Sequence, residues 1–156
     1  MKRITTKSSN ETKGAGKALA EIIIAGKNPN LKRFGLFELL RAREAKPLII
    51  ALEGDLGSGK TTFTQGLLRG LDAKGPYTSP TFVIMKKYKN NIYHFDAYRA
   101  NDKAILNLGW EEIVADPKNI IIIEWADRIK KIIPKTALWI RFEWLDKNKR
   151  KITMSR

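Results

Sequence analysis

Residues 53–62 read EGDLGSGKTT. Within them Gly54, Asp55, Leu56, Gly57, Ser58, Gly59, Lys60 and Thr61 meet the phosphate-loop pattern G-x-x-x-x-G-K-[ST] at every fixed position. The preceding stretch, PLIIALEG (47–54), is a nearly continuous apolar run ending at glycine, as in a parallel strand buried on both faces. The following stretch, KTTFTQGLLRGL (60–71), carries its apolar residues at helical spacing. Strand, glycine loop and helix in that order are the context the pattern requires. Glycines let the backbone curl until successive N–H groups point inward at phosphate oxygens. Lys60 then reaches the β- and γ-phosphates, the Thr61 hydroxyl is the expected Mg²⁺ ligand, and the helix offers its positive N-terminus to the anion. Asp55 to Thr62, Thr62 included, is therefore the expected nucleotide-binding segment.

Outward from this motif, NIIIIEW (119–125) reads as a central strand, and TFVIMKKY (81–88) and NIYHFDAY (91–98) as two strands joined in a hairpin through KNN. ALWIRFEW (137–144) alternates, and KITMS (151–155) can pair back onto it. Helices are expected from SSNETKGAGKALAEIIIAGK (8–27), from an amphipathic stretch within 28–46, from DKAILNLGWEEIVAD (102–116) with a break at Gly109, and from ADRIKKII (126–133) ending at Pro134. The pattern predicts one domain over 1–156: a three-layer α/β domain of the P-loop NTPase type, with a mostly parallel central sheet and antiparallel edge strands.

A magnesium-nucleotide site also needs a carboxylate where an apolar strand ends. Glu124 ends IIIIE and Asp96 ends IYHFD. One can hold the metal while the other orients the attacking water, and the sequence leaves the assignment open. His94, the only histidine, lies two residues before Asp96 on the same strand face, placed either to orient Asp96 or a phosphate or to serve a structural role. Arg99 is either an arginine finger in cis or an ion-pair partner. Ser79 and Thr81 in YTSPTF (77–82) occupy the region where P-loop proteins often keep a switch, although spacing alone favours an ordinary turn. The guanine-reading N-K-x-D tetrad is absent, which favours ATP over GTP.

The 156 residues hold no cysteine, which removes disulfides, zinc–thiolate sites and thiol catalysis. No apolar run has the length to cross a bilayer, and no membrane partner is expected; the absence of cysteine fits a reducing, cytoplasmic setting. The formal charge is +14, and its placement is uneven: residues 1–46 carry 11 Lys and Arg against 4 Asp and Glu, residues 127–156 carry 10 against 3, and residues 47–126 balance at 9 each. Basic surfaces of this kind attract nucleic acid, acidic proteins or anionic membranes, and a lysine-rich proteome with solvated faces gives the same count.

Set in order, SSNETKGAGKALA, LEGDLGSGKTTFTQGLLRGL, SPTF, YHFDAYR, LGWEEI and IIIEWADRI followed by Pro134 resemble the TsaE (YjeE) family, the small P-loop ATPases of bacterial tRNA threonylcarbamoyladenosine synthesis. The resemblance covers nearly the whole chain. It implies binding of ATP with Mg²⁺, slow hydrolysis by the isolated chain, and action on the TsaB–TsaD pair that modifies tRNAs reading ANN codons, with tRNA engaged through that complex. Carried over by motif, Lys60 and Thr61 are phosphate and metal residues, and Thr81 belongs to a switch. Asp96 and Glu124 are the metal and hydrolysis carboxylates, and Trp125 is the tryptophan beside that acid. One departure stands out: residues 28–45 form an insertion where relatives pass from first helix to first strand in a few residues.

Two rival functions remain. A small P-loop kinase needs an acceptor pocket and an arginine-rich lid, and after IIIIEW only ADRIKKIIPK is available for one. A basic tRNA-binding accessory module fits the charged ends, but no RNA-binding signature with interleaved stacking aromatics is evident in the sequence.

Overall fold

The computed structural model describes residues 1–25, 46–80 and 83–155. The helix expected within 28–46, all but the last residue of which falls in 26–45, and the insertion at 28–45 therefore lie outside the described residues, as does Thr81. The elements in chain order are β1 (Lys2–Thr6), α1 (Ser9–Ala25), β2 (Leu48–Glu53), α2 (Lys60–Gly70), β3 (Met85–Tyr88), β4 (Ile92–Asp96), α3 (Asp102–Leu106), α4 (Trp110–Ala115), β5 (Ile120–Glu124), a single 3₁₀ turn (Ala126–Ile129), β6 (Leu138–Trp144) and β7 (Arg150–Ser155).

The strands form one sheet in the order β1-β7-β6-β2-β5-β4-β3. The four central strands run parallel, while β1–β7, β6–β7 and β3–β4 pair antiparallel. The apolar runs read as doubly buried strands are so because successive side chains point to opposite faces. Leu48, Ile50, Leu52, Ile120 and Ile122 enter the core beneath α1 and α2. Ile49, Ala51, Ile121 and Ile123 enter a second core that holds Ile105 of α3, Trp110 of α4 and Ile129 of the 3₁₀ turn. Three layers follow. On β6 and β7 the face toward α1 and α2 buries Leu138, Ile140, Phe142, Ile152 and Met154, while their alternate residues are half-buried or exposed, which is why those two segments alternate.

Helices α1 and α2 pack in close contact because glycines face the seam. A Cβ on Gly16 would stand 2.1 Å from the Phe63 carbonyl oxygen, and one on Gly66 would stand 2.0 Å from that of Lys13. At the start of α1 the Ser8 hydroxyl accepts from the Glu11 N–H, and the Glu11 carboxylate reaches back to the Lys7 N–H, so two otherwise unpaired donors are satisfied.

The hairpin through KNN is present: Asn90 and Asn91 sit at φ 63° and 57°, a region asparagine tolerates. Gly109 breaks the 102–116 segment at φ 80°. Three features differ from expectation. Residues 126–133 make a 3₁₀ turn and further turns instead of an α-helix, since Ala126 and Ile129 alone of the first four are buried and so anchor only one turn. β3 begins at Met85, because Ile84 adopts φ 63° and bends the chain there. β1 is an additional edge strand, mostly exposed and polar, that gives little periodic signal.

Candidate functional site

In-register pairing brings the chemistry together. Leu52 stands opposite Glu124, and Glu124 opposite Asp96, so the carboxyl ends of β2, β5 and β4 form one row at the edge of the sheet. Ligands of open parallel sheets bind outside that edge. The phosphate loop leaves β2 at this point. Gly54 is at φ 141° with its would-be Cβ 2.4 Å from the Phe142 carbonyl oxygen, and Gly59 is at φ 103° immediately before α2. A side chain at either position would be strained, so both must be glycine.

Unlike α1, helix α2 starts with no side-chain cap and no acidic residue in its first turn. Among the described residues no side chain caps its first N–H groups at this positive helix end, the arrangement that accepts an anion. Lys60 is 4% exposed. Its Nζ donates to the carbonyl oxygens of Gly54 at 2.6 Å and Asp55 at 2.9 Å, and lies 3.7 Å from the centroid of the Trp125 ring. Burial lowers the Lys60 pKa from its ordinary 10.5, opposed by the negative charges of Glu124, Asp127, Asp55 and Asp96. The direction of the shift means that burial outweighs these charges, and an anion at the loop would oppose it in the same sense as they do.

The Thr61 hydroxyl donates to Glu124 Oε2 at 2.6 Å, and His94 Nε2 meets Glu124 Oε1 at 2.9 Å. His94 and Glu124 are each 1% exposed, so their contact is closed off from water, while Thr61 at the other end is half-buried. His94 thus partners Glu124 rather than the neighbouring Asp96. Asp96 instead accepts from the Ser79 hydroxyl through Oδ2 and from the Tyr98 N–H at 2.9 Å through Oδ1. That contact brings the 77–80 segment to the carboxylate row. Trp125 adopts φ 58°, an uncommon conformation for a bulky residue, and packs against Tyr98 with ring centroids 4.8 Å apart. The Arg128 guanidinium lies 5.2 Å from the Tyr98 ring and 5.5 Å from the Trp125 ring. Arg99 is exposed at the end of this region.

Two residues that sequence reasoning passed over support the loop. Arg150 of β7 donates from Nε to the Gly57 carbonyl oxygen at 3.2 Å, and from Nη1 to those of Asp146 and Lys149. Thr12 of α1 is buried, bonds Thr6 at 2.8 Å, and places its methyl 3.5 Å from where a Gly59 Cβ would stand. Neither carries a local signal, since each reaches the loop only through the fold.

Among the described residues no group of three or more His, Cys, Asp or Glu could form a metal cage. The donors that do converge, the Thr61 hydroxyl and the Glu124 and Asp96 carboxylates, are hard oxygen ligands. They suit Mg²⁺, which keeps waters and shares its shell with substrate phosphates.

The family model described as the threonylcarbamoyl adenosine biosynthesis protein TsaE matches residues 6–152. Relatives described as tRNA threonylcarbamoyladenosine biosynthesis protein TsaE include one from Haemophilus influenzae, 33% identical over 69% of this chain and 70% of its own length. Another, from Bacillus subtilis, is 38% identical over 74% of this chain and 75% of its own. A third, from Rickettsia typhi, is 38% identical over 73% and 82%. Among solved structures, the crystal structure of Bacillus subtilis YdiB superposes with a TM-score of 0.69 at 29% identity, covering 98% of this chain and 83% of that one.

Proposed function

The chain belongs to the TsaE family of tRNA threonylcarbamoyladenosine biosynthesis, and from that premise we propose that it binds ATP with Mg²⁺ and hydrolyses it to drive the TsaB–TsaD pair in the cytoplasm. The observation that carries this reading is the convergence of Lys60, Thr61 and Glu124 on the phosphate loop: one cation, one hydroxyl and one buried carboxylate at an uncapped helix start.

The loop N–H groups and Lys60 bind the phosphates, Lys60 exchanging the carbonyls of Gly54 and Asp55 for phosphate oxygens. Thr61 and Glu124 are the residues that would hold magnesium, because they already share one hydrogen bond. Bound there, the metal would supply positive charge to offset the negative charge developing on the transferring phosphoryl group. His94 keeps the Glu124 carboxylate turned toward Thr61. Asp96, held by Ser79 and the Tyr98 N–H, accepts a hydrogen bond from the attacking water and orients it. The aromatic ring of Trp125 covers Lys60 and keeps water from it. The threonylcarbamoyl transfer itself is left to the partner pair, with tRNA held through that complex.

The test is ATP turnover by the purified chain, alone and with the TsaB–TsaD pair of its own source, with Lys60→Ala as the blank. Stimulation by the pair, absent in the blank, is the expected result. Turnover that appears only when small-molecule acceptors are added would replace this reading with a kinase.

A further inference from the structure

Away from the phosphate loop, α1, α2 and the segment after α2 enclose an open cavity of about 360 Å³. No residue of 54–61 borders it, and Arg69 on its wall lies about 13 Å along α2 from Lys60 at the rise of an α-helix. Gly14 and Gly66 contribute bare backbone to it, and a Cβ on Gly14 would meet nothing within 4 Å, so the groove between the helices stays open. Lys13 and Lys17, one turn apart on α1, and Arg69 of α2 supply three cations, and no carboxylate is among the described lining residues. Lys17 has an ion pair with Glu21, but at 4.0 Å and with both side chains mostly exposed it is readily exchanged. Tyr77 presents a half-buried ring with the Arg69 guanidinium 6.0 Å from its centroid. Gln65 and Thr78 add neutral hydrogen-bonding groups.

We propose that this cavity receives one nucleotide unit of an RNA strand, its phosphate on Lys13, Lys17 and Arg69 and its base against Tyr77. Cations for the backbone and an aromatic face for a base are the two parts of single-strand recognition. The volume lies near the lower end of the range for ligand pockets, about 300–1,000 Å³, and suits one unit. A free mononucleotide offers the same chemistry. The strand is favoured because residues 1–25, which supply two of the three cations, carry 5 basic against 2 acidic residues, more positive charge than one phosphate group occupies. The pocket also bears on the carboxylate row. Thr78 is held by Lys86 through its carbonyl oxygen at 3.1 Å, and the next residue, Ser79, donates to Asp96. Occupancy should therefore alter ATP turnover, a consequence that alone rests on the function proposed above.

The experiment is fluorescence anisotropy of the full chain with a labelled, unmodified tRNA transcript over a salt series. Lys13→Ala and Arg69→Ala should each weaken binding severalfold and reduce the slope of log K against log salt by about 1. Tyr77→Ala should weaken binding without changing the slope. Melting temperature and ATP affinity of all three should match the parent, which certifies folding and keeps the nucleotide site as a separate measurement. Parent-like tRNA binding by all three variants would overturn the proposal. So would displacement of the transcript by AMP at matched nucleotide concentration, which would make the cavity a mononucleotide site. Parent-like tRNA binding with loss of TsaB–TsaD binding would overturn it in favour of a protein-docking surface.

Discussion

The Thr61 hydroxyl donates a hydrogen bond to Glu124 across 2.6 Å, joining the first turn of the phosphate-loop helix to the end of a strand 63 residues later. This bond makes Glu124 the nearest carboxylate to the proposed metal ligand, a distinction between Glu124 and Asp96 that the sequence left open. Glu124→Ala should keep nucleotide affinity within a few fold, since Lys60 and the loop remain. It should lower turnover by about 10²-fold or more, the usual scale for losing one preorganised electrostatic group. Single-turnover hydrolysis beside equilibrium nucleotide binding checks this, and unchanged hydrolysis removes Glu124 from the mechanism.

His94 touches the other oxygen of that carboxylate, and its Nδ1 is buried with no hydrogen-bond partner among the described residues. The single bond to Glu124 is therefore what orients the ring. His94→Ala should reduce turnover about tenfold with nucleotide affinity unchanged, because a hydrogen bond to a charged group is worth about 1.5–3 kcal/mol. His94→Gln, which can present an N–H near the Nε2 position, should recover part of the loss. A purely structural histidine would show the reverse: parallel loss of stability and turnover, with no recovery by glutamine.

Much of this site was legible because it is written locally. The phosphate loop, its strand and its helix are contiguous, and the buried runs at 48–53 and 120–124 announce a parallel sheet through their lack of alternation. Asp96 and Glu124 could be picked out as strand ends. The pairing of His94 with Glu124 could not, because it depends on β4 and β5 being neighbours, and chain order does not specify lateral order. Arg150 bracing Gly57 across 93 residues is hidden for the same reason. β1 went unread because an edge strand with a single buried residue carries almost no hydrophobic pattern.

The α1–α2 seam supplies a stability test with its own control. Gly66→Ala drives a methyl group to within 2.0 Å of the Lys13 carbonyl oxygen, so the helices must part. A loss of about 1–3 kcal/mol is expected, as for overpacked cores. Gly14→Ala meets open space within the same helix pair and should instead stabilise by about 0.5–1 kcal/mol, the propensity difference between alanine and glycine. Denaturant unfolding of both variants decides it, and equal effects would mean that the seam is not held by close backbone contact.

Lys60 provides the last prediction, through pH. Burial holds its folded-state pKa below the 10.5 of the unfolded chain, against the pull of Glu124, Asp127, Asp55 and Asp96. Below the folded pKa both states carry the proton and the cost of the buried charge is present in full. Between the folded pKa and 10.5 the unfolded state binds more protons, so this group's contribution to stability rises with pH across that window. Lys60→Met removes the charge at similar length. Without nucleotide, the melting temperature of Lys60→Met minus that of the parent should be largest near neutral pH and shrink as pH approaches 10.5. Adding ATP with Mg²⁺ should raise the parent's melting temperature and leave Lys60→Met nearly unmoved, because ligand stabilisation follows affinity for the folded state. A pH-independent difference between the two proteins would show that the buried ammonium is already compensated by its neighbours, and that phosphate binding gains nothing from relieving it.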